Sequence, residues 1–278
     1  MDENQNLPVE QAAEIQNQDI AEPVVFSSSK RNWTSYIKEF LMLFLAVFAG
    51  FMAENYRDTL SEEARAKELA ISFYEELKND SINVEIKTQN KIKQEKALKY
   101  LMEYFKDSTL TNVSKTFTIN FLYGINFRTP TLFEPRTVIL DQLKNSGSLR
   151  YFKSNELQKL IGELSVAIRN INERAEYETK ISFEYFNRLT IQHYDYDFDS
   201  KLRNLEKSIF LSIKEYENNN IILPFDFKSL DKFDKQGTIN AIGFVRINVN
   251  STRVNHFKIY KELNAAILSL MRKEYNLK

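Results

Sequence analysis

From Phe40 to Ala53 the chain reads FLMLFLAVFAGFMA, fourteen positions with neither a charge nor a polar side chain. That run is short for crossing a hydrocarbon core of about 30 Å, which asks for about 20 apolar residues. Its flanks extend it. Trp33, Tyr36 and Ile37 precede it and Tyr56 follows, with Lys30, Arg31, Lys38 and Arg57 able to reach outward, the side chains that mark membrane interfaces. At a helical rise of about 1.5 Å per residue, Trp33 to Tyr56 covers roughly 35 Å. The pattern predicts a transmembrane anchor over residues 30–57. A buried core helix and a cleaved signal are the competing readings. A signal would begin close to the N-terminus behind a basic segment, whereas an acidic stretch comes first here.

Beyond the anchor the apolar positions change from a block to a stripe. Ala70, Phe73, Tyr74 and Leu77 fall at i, i+3, i+4 and i+7, and Leu98, Leu101 and Phe105 resume the pattern. With no Gly or Pro between Gly50 and Gly124, one helix is expected to run to about Asp107. Between Glu85 and Lys96 only Ile86 and Ile92 are apolar, so that part is expected to project as a solvated stretch or to carry a turn. The TFTINFLYGINF run, Thr116 to Phe127, is β-prone and predicts a short hairpin or an ordered loop. Phe133 to Lys144 predicts a short helix, with Pro135 near its start and a left-handed cap at Asn145-Ser146-Gly147.

The clearest periodicity opens at Ser154, an N-cap residue type. Leu157, Ile161, Leu164, Ile168, Ile171, Ala175, Tyr185 and Leu189 share one seam that only Glu178 and Ser182 break, a heptad register of helix on helix. Gln236 to Glu274 carries a similar seam through Val249, His256, Tyr260, Leu263, Ile267 and Leu270, and Leu202 to Tyr216 reads as another helix between the two. The predicted fold is all-α: an N-terminal transmembrane helix, then an elongated antiparallel helical bundle over 58–278 with one short β-prone or irregular insertion. Residues 1–29 hold Asp2, Glu3, Glu10, Glu14, Asp19 and Glu22, two prolines and no basic residue, the composition of a disordered acidic tail.

Composition narrows the chemistry. Thirty-eight basic residues balance thirty-eight acidic ones, so there is no general drive toward nucleic acid, whose binders carry excess Lys and Arg. The chain has no cysteine, which removes disulfides, zinc-thiolate sites, iron-sulfur clusters and thiol catalysis. Six Gly and five Pro among 278 residues suit long helices better than many turns. Neither histidine, His193 or His256, has a Glu three positions before it, so the Glu-x-x-His pair of diiron bundles is missing. No phosphate loop, dinucleotide fingerprint, HExxH or G-x-S-x-G occurs. No catalytic residue, metal or cofactor is expected.

Three features remain as candidates. On the last long helix Arg246, Val249, Arg253 and His256 share a seam, placing two guanidiniums toward neighbouring helices. A buried Arg must be paired, so either carboxylates such as Glu178 meet them or an anion does. His193, Asp195, Asp197 and Asp199 alternate with aromatic residues. An extended strand would put them on one face as a metal ligand set, and a helix end followed by a polar loop is the simpler reading. Within the anchor Ala46 and Gly50, and Ala49 and Ala53, are small residues four apart, a spacing that lets two helices approach closely in lipid. Such pairs are also frequent by chance. Lys30, Arg31 and Lys38 on one side and Arg57, Arg65 and Lys67 on the other leave the orientation tied by charge.

Two blocks look familiar as sequences. YIKEFLMLFLAVFAGFMAENYRD (Tyr36 to Asp58) and TVILDQLKNSGSLRYFKSNELQKLIGEL (Thr137 to Leu164) resemble the membrane segment and the helix–turn–helix of uncharacterised single-span membrane proteins of the Bacteroidota, grouped as domain-of-unknown-function families. The resemblance implies an inner-membrane protein with a short cytoplasmic tail and a periplasmic helical domain, and carries no chemistry with it. The functional expectation is a structural or protein-interaction module whose partners are the lipid bilayer, an envelope protein or a second copy of itself. The alternative is an extracytoplasmic sensor bundle that takes a small anion and signals through a partner protein.

Overall fold

A computed structural model describes residues 33–126, 131–152, 154–203 and 207–277. The described residues are all-α, with no strand among them. The chain divides into two units, Met1–Tyr56 and Arg57–Lys278. The predicted acidic tail, 1–29, lies outside the described residues.

In the first unit the described residues are the opening of helix α1 (Trp33–Asp107). α1 carries a segment apolar and long enough to cross a membrane, and none of that segment is buried. Phe40, Phe44 and Phe48 stack along one side, with centroids 6.3 and 5.9 Å apart. Gly50 stands open, since a Cβ added there would meet nothing within 4 Å.

In the second unit, α1 is followed by α2 (Lys115–Phe121), a π-helical segment Leu122–Asn126, α3 (Val138–Asn145), a 3-10 turn Ser148–Tyr151, α4 (Asn155–His193), α5 (Tyr196–Leu202) and α6 (Ile209–Asn218). The chain ends in α7 (Lys235–Ser251), a second π segment Thr252–Phe257 and α8 (Lys258–Tyr275). Two apolar cores form. One gathers Leu98, Leu101 and Phe105 of α1, Phe117 and Phe121 of α2, Leu189 of α4, Ile242 and Val249 of α7, and Phe225 and Phe227. The other gathers Ala70, Phe73 and Leu77 of α1, Leu157, Ile161, Leu164 and Ile171 of α4, and Tyr260, Ile267 and Met271 of α8.

The local signals act as their chemistry requires. Ser154 caps α4 by accepting from the Leu157 N–H at 3.1 Å. Gly147 takes φ +69°, the left-handed conformation glycine adopts without steric cost. Five expectations are corrected. The polar stretch 85–96 neither projects nor turns: α1 runs through it, and Thr88, Lys91 and Gln94 are buried. The β-prone insertion is helical, because Ser114 caps α2 through the Phe117 N–H at 3.2 Å and Phe117 and Phe121, four apart, both enter the core. The helix expected from Phe133 starts only at Val138. Before it, Phe133 packs edge-on against Phe257 and Tyr260, and the Arg136 and Ile139 amides bond to Asp80 at 2.9 Å and Glu76 at 3.3 Å. The helix expected over 202–216 is two helices, α5 and α6. On α4, Phe186 takes the core position predicted for Tyr185, which is exposed.

The last long helix also departs from its heptad. Ile239, Ile242, Val245, Val249 and Thr252 are buried at steps of three and four, and then the next buried residue is Phe257, five on. The π segment inserts that extra residue. From there Tyr260, Asn264, Ile267 and Met271 face inward, while Leu263 and Leu270 are only partly buried.

Glu76 and Asp80 lie inside the second core. Asp80 Oδ2 accepts from the Tyr260 hydroxyl at 2.9 Å, and Arg136 Nε stands 3.9 Å from Oδ1. Glu76 Oε1 and Asp80 Oδ1 have no hydrogen-bond partner among the described residues. Burial pushes both carboxyl groups above their ordinary values, and each also accepts an opposing backbone hydrogen bond. The folded chain therefore binds these protons more tightly than the unfolded chain, and their contribution to stability is lost as pH rises through the folded values. Glu76→Gln removes one of the two ionisations. Urea unfolding between about pH 5 and 8 is expected to show a smaller fall of stability with pH for the variant than for the parent chain; identical slopes would mean that Glu76 does not titrate in this window.

Candidate functional site

Between the two cores the helices meet through polar side chains. α1 contributes Thr88, Lys91 and Gln94, all buried; α4 contributes Arg174 and Glu178, one turn apart; α7 and the π segment after it contribute Asn248, Thr252, Arg253 and His256. The centre is an ion pair, Lys91 Nζ to Glu178 Oε2 at 2.7 Å, with side chains 1% and 4% exposed. At that burial, neither charge is left to water. The other Glu178 oxygen accepts from the Thr252 hydroxyl. Arg174 Nε donates to Thr252 Oγ1 at 2.9 Å, and its Nη2 reaches Asn248 Oδ1 at 2.6 Å. Lys91 Nζ also lies 5.5 Å from the centre of the Phe257 ring.

The edge of the layer is a second pair. Arg253 grips Glu95 with Nε at 2.6 Å and Nη2 at 3.1 Å, and Asn250 adds a bond to Glu95 at 3.0 Å. The hydrogen bond with Glu95 raises the Arg253 pKa above its ordinary value. His256 is pushed below the usual imidazole value by burial and by the Arg174 charge, against an opposing pull from Glu178, so it is neutral at pH 7. Gln94 Nε2 reaches the Gly124 carbonyl at 3.4 Å in the first π segment. Both π segments thus border the layer, the placement such irregularities take where a helix must re-aim side chains.

The predicted site residues are only partly brought together. Glu178 pairs with Lys91 and accepts from Thr252, and Arg253 pairs with Glu95 of α1. Arg246 is half-buried, and its Nε has no hydrogen-bond partner among the described residues. Ala46, Ala49, Gly50 and Ala53 are exposed within the first unit. Lys91, Glu95, Arg174 and Thr252 are the residues the sequence reading passed over. Lys91 had a signal, since it stands seven before Leu98 and fourteen after Leu77, at core positions of the α1 stripe.

The His193 to Asp199 run is a helix boundary. Asp195 caps α5, accepting from the Asp197 and Phe198 amides at 3.1 and 3.2 Å, and takes the Asp226 amide at 2.9 Å with its other oxygen. Burial pushes its pKa up, but these backbone bonds outweigh that and hold it below the usual carboxylate value. Asp199 accepts from Tyr194 at 2.9 Å and pairs with Arg203, and Asp197 is exposed. Among the described residues no three His, Asp or Glu side chains are grouped to hold a metal ion. Comparison with protein-family models, with curated proteins and with solved structures finds no match to this chain.

Removing one partner of a buried pair leaves the other charged and unsatisfied, at a cost of about 3–5 kcal/mol, whereas replacing both by apolar groups is often close to neutral. Lys91→Met alone is expected to lower stability by that amount in urea unfolding of the full chain. Lys91→Met with Glu178→Leu is expected to recover most of it, because Thr252 can turn its proton to the Asn248 carbonyl, 3.0 Å away. A double variant as unstable as the single one would show that the layer is more than an isolated pair.

Proposed function

We propose that this protein is a membrane-anchored helical-bundle module of the bacterial envelope that acts through protein contacts and performs no catalysis. The observation that carries the reading is the apolar segment of α1, exposed along its length, together with the fact that the second unit builds its own cores without it. Lipid is the environment that removes such a surface from water. Trp33, Tyr36 and Tyr56 at its ends, all exposed, suit the headgroup layers. The bundle of 58–278 is elongated and antiparallel in this reading. Its support is the pairing of rising numbers, from just before α4 and along it, with falling partner numbers: Phe152 with Tyr275, Arg174 with Asn248, Tyr185 with Phe244. From the resemblance to the Bacteroidota proteins, the tail is cytoplasmic and the bundle periplasmic. An extracytoplasmic sensor of a small anion is the second reading, favoured by Arg246 Nε, which has no hydrogen-bond partner among the described residues.

Two measurements test the anchor and its direction. The full chain is expected to stay with membranes through a high-salt wash and to leave them only in detergent; recovery in the aqueous fraction overturns the anchor. A C-terminal alkaline phosphatase fusion is expected to be active and a C-terminal fluorescent fusion dark, and the opposite pattern overturns the orientation. Self-association has its own test at Gly50. Because a Cβ there meets nothing in its own chain, Gly50→Leu leaves the fold intact, and a fall in energy transfer between labelled copies in bilayers would report a contact with a second copy. Unchanged transfer removes that face from the interface.

A further inference from the structure

The segment that leads into α3, with α3 itself, is fastened to α1 by two carboxyl groups. Glu76 and Asp80, one turn apart on α1, accept from the Ile139 amide at 3.3 Å and the Arg136 amide at 2.9 Å. Among the described residues, the hydrogen bonds that residues 132–145 make to another helix end on these two side chains. We propose that residues 132–145 form a clasp that stays docked while the Glu76 and Asp80 pair holds a proton and opens locally, ahead of the bundle, when both ionise. The assignment is independent of the anchor and its orientation.

The pair is short of donors. Asp80 is fully buried and Glu76 is 7% exposed. Asp80 Oδ2 takes the Arg136 amide and the Tyr260 hydroxyl, and Glu76 Oε2 takes the Ile139 amide. Glu76 Oε1 and Asp80 Oδ1 are buried with no hydrogen-bond partner among the described residues. So is Oδ1 of Asn264, whose amide nitrogen donates to the Leu77 carbonyl at 3.0 Å. Three acceptors without a donor are costly away from water. A carboxyl proton turns one of these acceptors into a donor.

The charges that act on the two groups are Arg136, whose side chain stands largely in solvent with Nε 3.9 Å from Asp80 Oδ1, and, for Glu76, Asp80 itself. Glu134 of the segment acts on Lys87 instead, and Asp141 and Lys144 of α3 are exposed. From α8, Arg272 donates to the Tyr74 hydroxyl at 2.7 Å, and burial and the Asp80 charge push the Tyr260 pKa up, so its hydroxyl keeps its proton. α4 brings the apolar Leu157, Ile161 and Leu164 to this core. Burial disfavours the ionised carboxyl groups, the amides and Arg136 oppose it, and burial prevails for both. The docked state therefore binds protons more tightly than the open one. Docking weakens as pH rises from the ordinary carboxylate range through the raised docked values, and levels off above them.

Opening is local for two reasons. α3 has eight residues, too few to persist as a helix in water, and Thr137 at its N-cap makes no side-chain capping bond, so it folds with its attachment. The stack beneath it has its own contacts: α1, α4 and α8 meet through Phe73, Leu77, Leu157, Ile161 and Ile267, to which the segment adds Phe133, Leu140 and Leu143. Lifting the clasp exposes those three and the face they cover.

Hydrogen exchange in the detergent-solubilised full chain reads the clasp directly. Between about pH 5 and 9, after correction for the intrinsic exchange rate, protection of the Ile139 to Leu143 amides is expected to fall by about tenfold or more. At every pH it is expected to lie below that of the α4 amides Ile161 to Ile168, and to be unchanged by dilute urea that lowers α4 protection. Equal protection and equal urea dependence in the two segments would show that the whole bundle opens together, and protection independent of pH would show that the pair does not gate the segment; either result overturns the proposal. Glu76→Gln with Asp80→Asn supplies amide donors in place of the protons and is expected to flatten the pH dependence, whereas a fall like that of the parent chain overturns the assignment. The parent chain offers a second readout without substitution. The infrared carbonyl band of protonated carboxyl groups is expected at about pH 6, where ordinary carboxyl groups are ionised, and is expected to vanish in step with the loss of protection; no such band overturns the proposal.

Discussion

One buried ion pair divides the helical unit. Lys91 and Glu178 meet where α1, α4 and the π segment after α7 come together, with an apolar core on either side. Charges so placed are held by each other and by Thr252, Arg174 and Asn248, and little of the stability of the helices need come from them. What they contribute is alignment. An apolar layer at this height would allow α4 to slide by a turn against α1, whereas a displaced Lys91 would leave Glu178 without its partner. Polar groups at single core positions fix register in this way in coiled coils, and the three helices here meet under the same constraint.

The same layer explains why α1 was half legible. One line through its buried residues runs Ala70, Phe73, Leu77, Asp80, Val84, Thr88, Lys91, Gln94, Leu98, Leu101, Phe105, at steps of three and four throughout. Position in the stripe was visible; residue type obscured it. A reading that equates buried with apolar turns Thr88, Lys91 and Gln94 into a solvated gap, though the spacing across the gap is unbroken. Glu178 was treated as an interruption of the α4 seam for the same reason. In both helices the irregular positions of the pattern are the ones that find each other.

Other differences have separate physical causes. Cap residues such as Ser154 act through the nearest few amides and could be read directly, as could the apolar run of α1. The Thr116 to Phe127 segment could not, because β-branched and aromatic residues report a half-buried surface rather than a backbone conformation, and tertiary packing of Phe117 and Phe121 decides for helix. Glu95 as the partner of Arg253 and the Lys228 carbonyl as the partner of His193 are separated from them by long stretches of chain. Spacing carries no information about such contacts, so the candidate site could be read as residue types needing partners but not as pairs.

The π segment Thr252–Phe257 is, in effect, a single extra residue accommodated without breaking the helix. Deleting one residue there would bring Phe257 to four positions after Thr252 and restore a regular helix, with Tyr260 and Asn264 still on the inward face. Leu263 and Leu270 already lie at the margin of the core, so the far half of this helix is written with two overlapping hydrophobic faces. A one-residue deletion at this point is therefore a discrete structural step available to the chain, one that straightens the helix while the Tyr260 hydroxyl keeps its contact to Asp80.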